Sequence, residues 1–203
     1  MTGDELRAVL DRAFEILAES EDELRDLDAA VGDGDLGVTV RGGASAARQA
    51  MKSLPPAATP AEVLRAVATA ISSANPSSFA ALAATALLAA ARSVATSRSL
   101  TRDDVLTMAQ QAAAAVEKRG KSVLGDKTVL DALIPSVRAL EAATSEESLP
   151  AMIAAARRGI DETTPNVSRR GRAAWLGERA QGHRDPGAVA YLRFLEALQR
   201  ATS

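Results

Sequence analysis

Apolar residues recur three and four positions apart along almost the whole chain. Leu6, Val9, Leu10, Ala13, Phe14 and Leu17 trace one stripe, and Val63, Val67, Ala70 and Ile71 another. Val105, Met108, Ala112 and Val116 follow, then Leu130, Leu133, Ile134, Val137 and Leu140. This is the spacing of helices with one buried face. No segment sustains a period of two; Val38 and Val40 alternate over too short a stretch to make a strand.

Helix starts are marked by side chains able to accept the unpaired first-turn N–H groups. Thr2 with Glu5, Ser20 with Glu23, and Thr101 with Asp104 have capping-box spacing, and Thr59-Pro60-Ala61-Glu62 adds a proline at the first helical position. Asp185-Pro186 reads as a further start, while Pro55-Pro56, Gly120, Pro165 and Gly182 punctuate. The pattern predicts an all-α chain of about eight helices joined by short loops, forming a single domain over 1–203.

Composition sharpens the picture. Apolar residues are 47% of the 203 positions but aromatics only 2%, so alanine and leucine supply the core and helix backbones approach closely. A net charge of −2 gives no pull toward nucleic acid or an anionic membrane. Cysteine is absent, which excludes disulfides, thiolate metal sites and cysteine nucleophiles. The acidic, amphipathic start is unlike a signal peptide, and the apolar stretch from Phe79 to Ala91 is too short to span a bilayer. A cytoplasmic location is expected. Alanine richness alone also fits a plain bundle with no active site.

Three segments break the helical pattern. In the first, Asp28 precedes Gly32-Asp33-Gly34-Asp35-Leu36-Gly37, so three carboxylates fall within eight residues among three glycines. Such a loop can fold its acids around one point, where their repulsion calls for a cation. Hard oxygen donors favour Mg²⁺ or Ca²⁺, and no glutamate closes the loop at the twelfth position as the calcium helix-loop-helix requires. An exposed acidic turn is the alternative, against which Asp28, one helical turn earlier, and the third glycine weigh. The second segment, Gly125-Asp126-Lys127-Thr128 leading into Asp131-Ala132-Leu133, reads as a loop entering a helix. Its free N–H groups, lysine and threonine hydroxyl can receive phosphate oxygens, or it is a capped start with solvated charges. The third runs from Gly171-Arg172 through Leu176-Gly177-Glu178-Arg179 to Gly182-His183-Arg184-Asp185-Pro186-Gly187-Ala188. It holds the chain's one tryptophan and one histidine, and its glycine and charge suit a loop that wraps a ligand. A lone histidine is usually structural, and no catalytic residue is assigned.

In this order and with these separations the three segments resemble the nucleotide-binding L subunit or L domain of dihydroxyacetone kinases, over nearly the whole chain. The resemblance implies an antiparallel eight-helix barrel with nucleotide and metal at one end. It implies that Asp28, Asp33 and Asp35 hold two Mg²⁺ ions. It places ADP or ATP against Leu36, Gly37, Val38 and Thr39, then Ser77, Ser78, Gly120, Val129, Arg172, Asp185, Pro186 and Gly187. The implied activity is phosphoryl transfer to a short ketose held by a separate K-type subunit. The donor is either exchangeable ATP or a phosphotransferase-system protein that recharges a resident ADP. The chain departs from the family at Leu36, usually histidine, and at Ser78-Phe79-Ala80-Ala81-Leu82-Ala83, where the family's two turn glycines are Phe79 and Ala83. Glycine there lets the backbone approach phosphates, whereas Phe79 adds bulk and restricts φ. A non-catalytic L-type module that binds nucleotide and regulates a partner is the second function that fits.

Overall fold

The computed structural model describes residues 1–144 and 146–203, apart from the side chain of Arg172. The described residues form nine α-helices: α1 Gly3–Ala18, α2 Glu21–Val31, α3 Leu36–Lys52, α4 Pro60–Ala74, α5 Ser78–Ser93, α6 Arg102–Gly120, α7 Leu130–Ala142, α8 Ser148–Thr163 and α9 Pro186–Thr202. A 3-10 segment, Arg172–Ala180, lies between α8 and α9. The extended pairing described is confined to one isolated bridge, Thr2 with Ser99.

The local signals act largely as their chemistry requires. Thr2, Thr59 and Thr101 each accept from the N–H three residues on, and Glu5, Glu62 and Asp104 return the bond, completing three capping boxes. The box expected at Ser20 does not form. Ser20 stays in a tight turn, its N–H on the Leu17 carbonyl at 3.0 Å, and Glu23 is claimed by Arg193 at 2.6 Å. A tertiary ion pair therefore takes the carboxylate that a local cap needed.

Eight helices, α1 and α3 to α9, pack each against the next, and α9 returns to α1 to close a ring; α2 lies outside it, against α3. The α1–α3 pairing is antiparallel: Arg7 reaches the Leu54 carbonyl, Arg48 pairs with Asp11, and Arg41 with Glu21. The interior is lined by leucine, valine and many alanines, including Ala13, Ala47, Ala61, Ala91 and Ala156. Small residues set the spacing between helices. A side chain at Gly159 would strike the Asp131 carbonyl at 1.8 Å, so α8 lies directly on α7. That carbonyl is the one a residue at 135 would normally bond, and Pro135 has no N–H to give.

In an up-and-down ring the starts of α3, α5, α7 and α9 share one end with the finishes of α4, α6 and α8. Contacts at that end agree. The Asn75 amide donates to the Val38 carbonyl at 3.4 Å, and the ring of Phe79 lies beside Gly187. All three chemistry-bearing segments therefore reach one mouth, where four helix starts present positive dipole ends. Those of α3, α5 and α9 also direct first-turn N–H groups there, while those of α7 are bonded to Thr128 and Val129. Among the described residues, no helix is long and apolar enough to cross a membrane.

Candidate functional site

The acidic cluster is built where α2 gives way to α3. Asp28 stands on the last turn of α2, and its carboxylate accepts the Leu36 N–H at 3.2 Å, tying the two helices together. Between them the chain turns through Gly34 at φ 76°, a conformation that side chains resist. Gly37 permits the close approach: a Cβ there would lie 2.1 Å from the Glu21 carbonyl. One oxygen each from Asp28, Asp33 and Asp35 lies within 4.8 Å of the other two, with Asp28 half-buried and the other two exposed. At 4.8 Å a pair of unit charges repels by roughly 3.5 kcal/mol at an effective dielectric near 20, and by less where water screens the two exposed carboxylates. Oxygens around an octahedral Mg²⁺ stand about 3.0 Å apart when adjacent and 4.2 Å when opposite, so small movements would close the set on one ion. The donors are all hard carboxylate oxygens, which suit Mg²⁺ or Ca²⁺.

The remaining expected contacts are distributed around the mouth. Leu36 and Thr39 bury their side chains, Gly37 is buried, and Val38 is 55% exposed, so the first turn of α3 offers backbone rather than polar side chains. The histidine-to-leucine departure falls at an inward position, and Leu36 packs in the core. Ser77 caps α5 by accepting the Ala80 N–H at 3.1 Å, and Ser78 is exposed beside it. Gly120 ends α6, and Val129 immediately precedes α7 without a capping side-chain bond. The expected role of the Arg172 side chain lies outside the described residues. Asp185 caps α9 through the Ala188 N–H at 2.8 Å, with Pro186 and Gly187 in the first turn. Burial raises the Asp185 carboxyl to about 7, and the Asp131 and Asp28 carboxylates push the same way against the Ala188 N–H and Lys127. The ring of Phe79 lies beside Gly187, 3.5 Å from where a Cβ on that glycine would stand.

The second segment does different work from the phosphate-receiving role expected for it. Lys127 is only 2% exposed, and its ammonium donates to the carbonyls of Thr164 at 2.8 Å, Asn166 at 2.9 Å and Ala180 at 2.7 Å. Burial pushes its pKa down, opposed by the Asp185 carboxylate. The Thr128 hydroxyl accepts the Leu130 N–H at 3.3 Å, while Asp131 receives the N–H groups of Gly125 and Thr128. Asp126, also buried, accepts the Val123 N–H at 3.1 Å and pairs with Arg170 at 3.3 Å. These groups face inward because distant backbone carbonyls and neighbouring N–H groups satisfy them there, which neither reading of the segment as ligand contact or solvated cap anticipates. His183 is exposed on the third segment.

A closed helical barrel with a carboxylate cluster and four helix starts at one mouth is the framework of a site for an anion and a divalent cation together. Comparison with known proteins identifies which helical barrel this is: the chain belongs to the DAK2 domain family, whose profile matches residues 30–200. It is 30% identical to the ADP-binding subunit DhaL of the PEP-dependent dihydroxyacetone kinase of Escherichia coli, over 95% of this chain and 93% of that one. It is 42% identical, over 90 residues that make up 42% of each chain, to the corresponding subunit of kinase 2 of Listeria innocua. The fold also matches the crystal structure of the C. freundii dihydroxyacetone kinase in complex with AMP-PNP and Mg²⁺, with a TM-score of 0.74 and 24% identity, covering 96% of this chain and 33% of that one. The chain thus spans about a third of the length of that kinase.

Proposed function

We propose that this protein is the ADP- or ATP-binding component of a short-ketose kinase of the dihydroxyacetone type. In this reading Asp28, Asp33 and Asp35 hold two Mg²⁺ ions, and residues 1–203 act as one nucleotide-binding domain. The observation that carries it is the convergence of the three carboxylates at the mouth to which four helix starts point. The magnesium ions would neutralise phosphate charge as the phosphoryl group moves. The first turns of α3, α5 and α9, with Ser77, Ser78, Gly120, Val129, Arg172 and Asp185-Pro186-Gly187, would orient the nucleotide through aligned N–H groups and short polar side chains. Relatives that are ADP-binding subunits of PEP-dependent kinases support a resident ADP recharged by a phosphotransferase-system protein.

The acceptor sugar is assigned to a separate K-type subunit. The first and third chemistry-bearing segments are assigned here to metal and nucleotide, and the charged groups of the second are turned inward, which leaves none of the three for a ketose. Trp175, 90% exposed on the 3-10 segment, is apolar surface that such a partner would cover. A non-catalytic regulatory module remains the second reading, favoured by Phe79 occupying a position where the family has glycine.

Thermal unfolding with and without Mg²⁺ and ADP tests the assignment. A ligand at a hundred times its Kd adds about 2.7 kcal/mol, which raises the midpoint of a chain this size by roughly 5–10 °C. An unchanged midpoint at millimolar Mg²⁺ and ADP sinks both metal and nucleotide.

A further inference from the structure

A lysine ammonium buried among carbonyls is an uncommon arrangement. Burial disfavours its charge, and no carboxylate lies in hydrogen-bonding contact to offset that cost among the bonds described for it. What Lys127 does have is complete use of its three protons, on Thr164, Asn166 and Ala180. Those carbonyls belong to the two flanks of the segment 164–185, which joins α8 to α9 and carries the whole third motif into Asp185-Pro186-Gly187. The same segment is fastened again by the Arg169 N–H on the Asp126 carbonyl at 3.0 Å. It also folds back on itself through the Gly182 N–H on the Thr164 carbonyl at 3.0 Å. Lys127 itself sits at φ 60°, a left-handed conformation that a lysine rarely adopts, and the loop around it is fixed by Asp126 and Asp131. The backbone is thus held in an unfavoured shape, and the side chain that leaves it is fully engaged by the segment.

We propose that Lys127 is a positioning residue for the nucleotide site: its ammonium clamps the segment 164–185 over the barrel mouth, setting where Arg172 and the Asp185-Pro186-Gly187 start of α9 stand relative to the bound nucleotide. The inference rests on the nucleotide reading above. It assigns the lysine of the second motif to holding protein rather than phosphate. Removing the ammonium takes a donor from all three carbonyls and leaves that of Asn166 with none among the bonds described, so the segment must move to rehydrate it.

The test uses Lys127→Ala in the full chain, with ADP affinity in Mg²⁺ read by calorimetry and backbone hydrogen exchange read segment by segment. Expected are ADP binding weakened about tenfold or more, and exchange accelerated in 164–185 with the other helices protected as in the wild type. Propylammonium, which replaces the missing arm and its donors, restores affinity, whereas tetramethylammonium, with charge but no N–H, does not. ADP affinity within twofold of wild type, equal rescue by both cations, or exchange accelerated uniformly across the barrel would each overturn the proposal. A wild type that fails to bind ADP refutes the functional reading instead, and the exchange pattern still decides whether Lys127 clamps the segment. If Lys127→Ala does not fold, exchange in the wild type is decisive. Mg²⁺ with ADP should slow 125–128 and 164–185 together, and protection of 164–185 without 125–128 overturns the clamp.

Discussion

Gly37→Ala should loosen the barrel at the acidic cluster, although alanine is the better helix former. In an unobstructed helix the exchange gains about 1 kcal/mol, and less in a first turn. At Gly37 the added methyl would lie 2.1 Å from the Glu21 carbonyl and 3.0 Å from the Arg25 nitrogen, both backbone atoms of α2 that no rotamer change can remove. Helix α2 must then move outward by an ångström or more, and overpacking of this kind costs about 1–3 kcal/mol. The clash outweighs the propensity gain, leaving a net loss of about 1–2 kcal/mol and a midpoint lower by roughly 3–7 °C. Gly43, in the same helix, is the control. A methyl there would meet Ile71 side-chain atoms at 3.7 Å, an ordinary contact, so Gly43→Ala should gain about 0.5–1 kcal/mol. Circular dichroism melts of both variants, with Mg²⁺ titrations, read the difference. Because α2 carries Asp28, Gly37→Ala should also weaken Mg²⁺ binding, while Gly43→Ala leaves it unchanged. A Gly37→Ala midpoint at or above wild type, with normal Mg²⁺ affinity, would refute the reasoning.

Asp33→Asn and Asp35→Asn each remove a proposed metal ligand and some repulsion, so Mg²⁺ affinity should fall while the metal-free melting point holds or rises. A variant that unfolds without metal yet keeps normal affinity would make that carboxylate structural. The raised Asp185 pKa means that the folded chain holds this proton more tightly than the unfolded chain does. Its stabilising contribution is therefore complete below about pH 4 and is lost as pH rises through about 7, a change of at most about 4 kcal/mol. Metal-free melts from pH 5 to 8 should show a decline that Asp185→Asn, which keeps a capping side chain, flattens; the same slope in both proteins would count against it. The chain alone, given ATP, Mg²⁺ and dihydroxyacetone, should form sugar phosphate only when a K-type partner is added, because in-line positioning of the acceptor is worth roughly 7–11 kcal/mol. Rapid product formation without the partner would point to a sugar site within this chain.

What the sequence determined was whatever its chemistry decides over a few residues. The threonine caps at Thr2, Thr59 and Thr101 follow from side chains three residues apart, and the all-helical class follows from a period that persists along the chain. The carboxylate cluster was legible for the same reason, since Asp28, Asp33 and Asp35 need only one turn between two helices to meet. Ser20 and Lys127 depart from what their local sequence predicts because their surroundings are assembled from afar. Glu23 is taken by Arg193, 170 residues away, and the carbonyls that bind Lys127 stand 37, 39 and 53 residues along. Tertiary structure alone decided that α9 closes the ring on α1, that α2 stays outside it, and that Phe79 settles beside Gly187. These outcomes depend on which helix faces come within van der Waals reach. Local spacing specifies that a face is apolar, whereas the identity of its partner follows from close packing of the whole barrel at once.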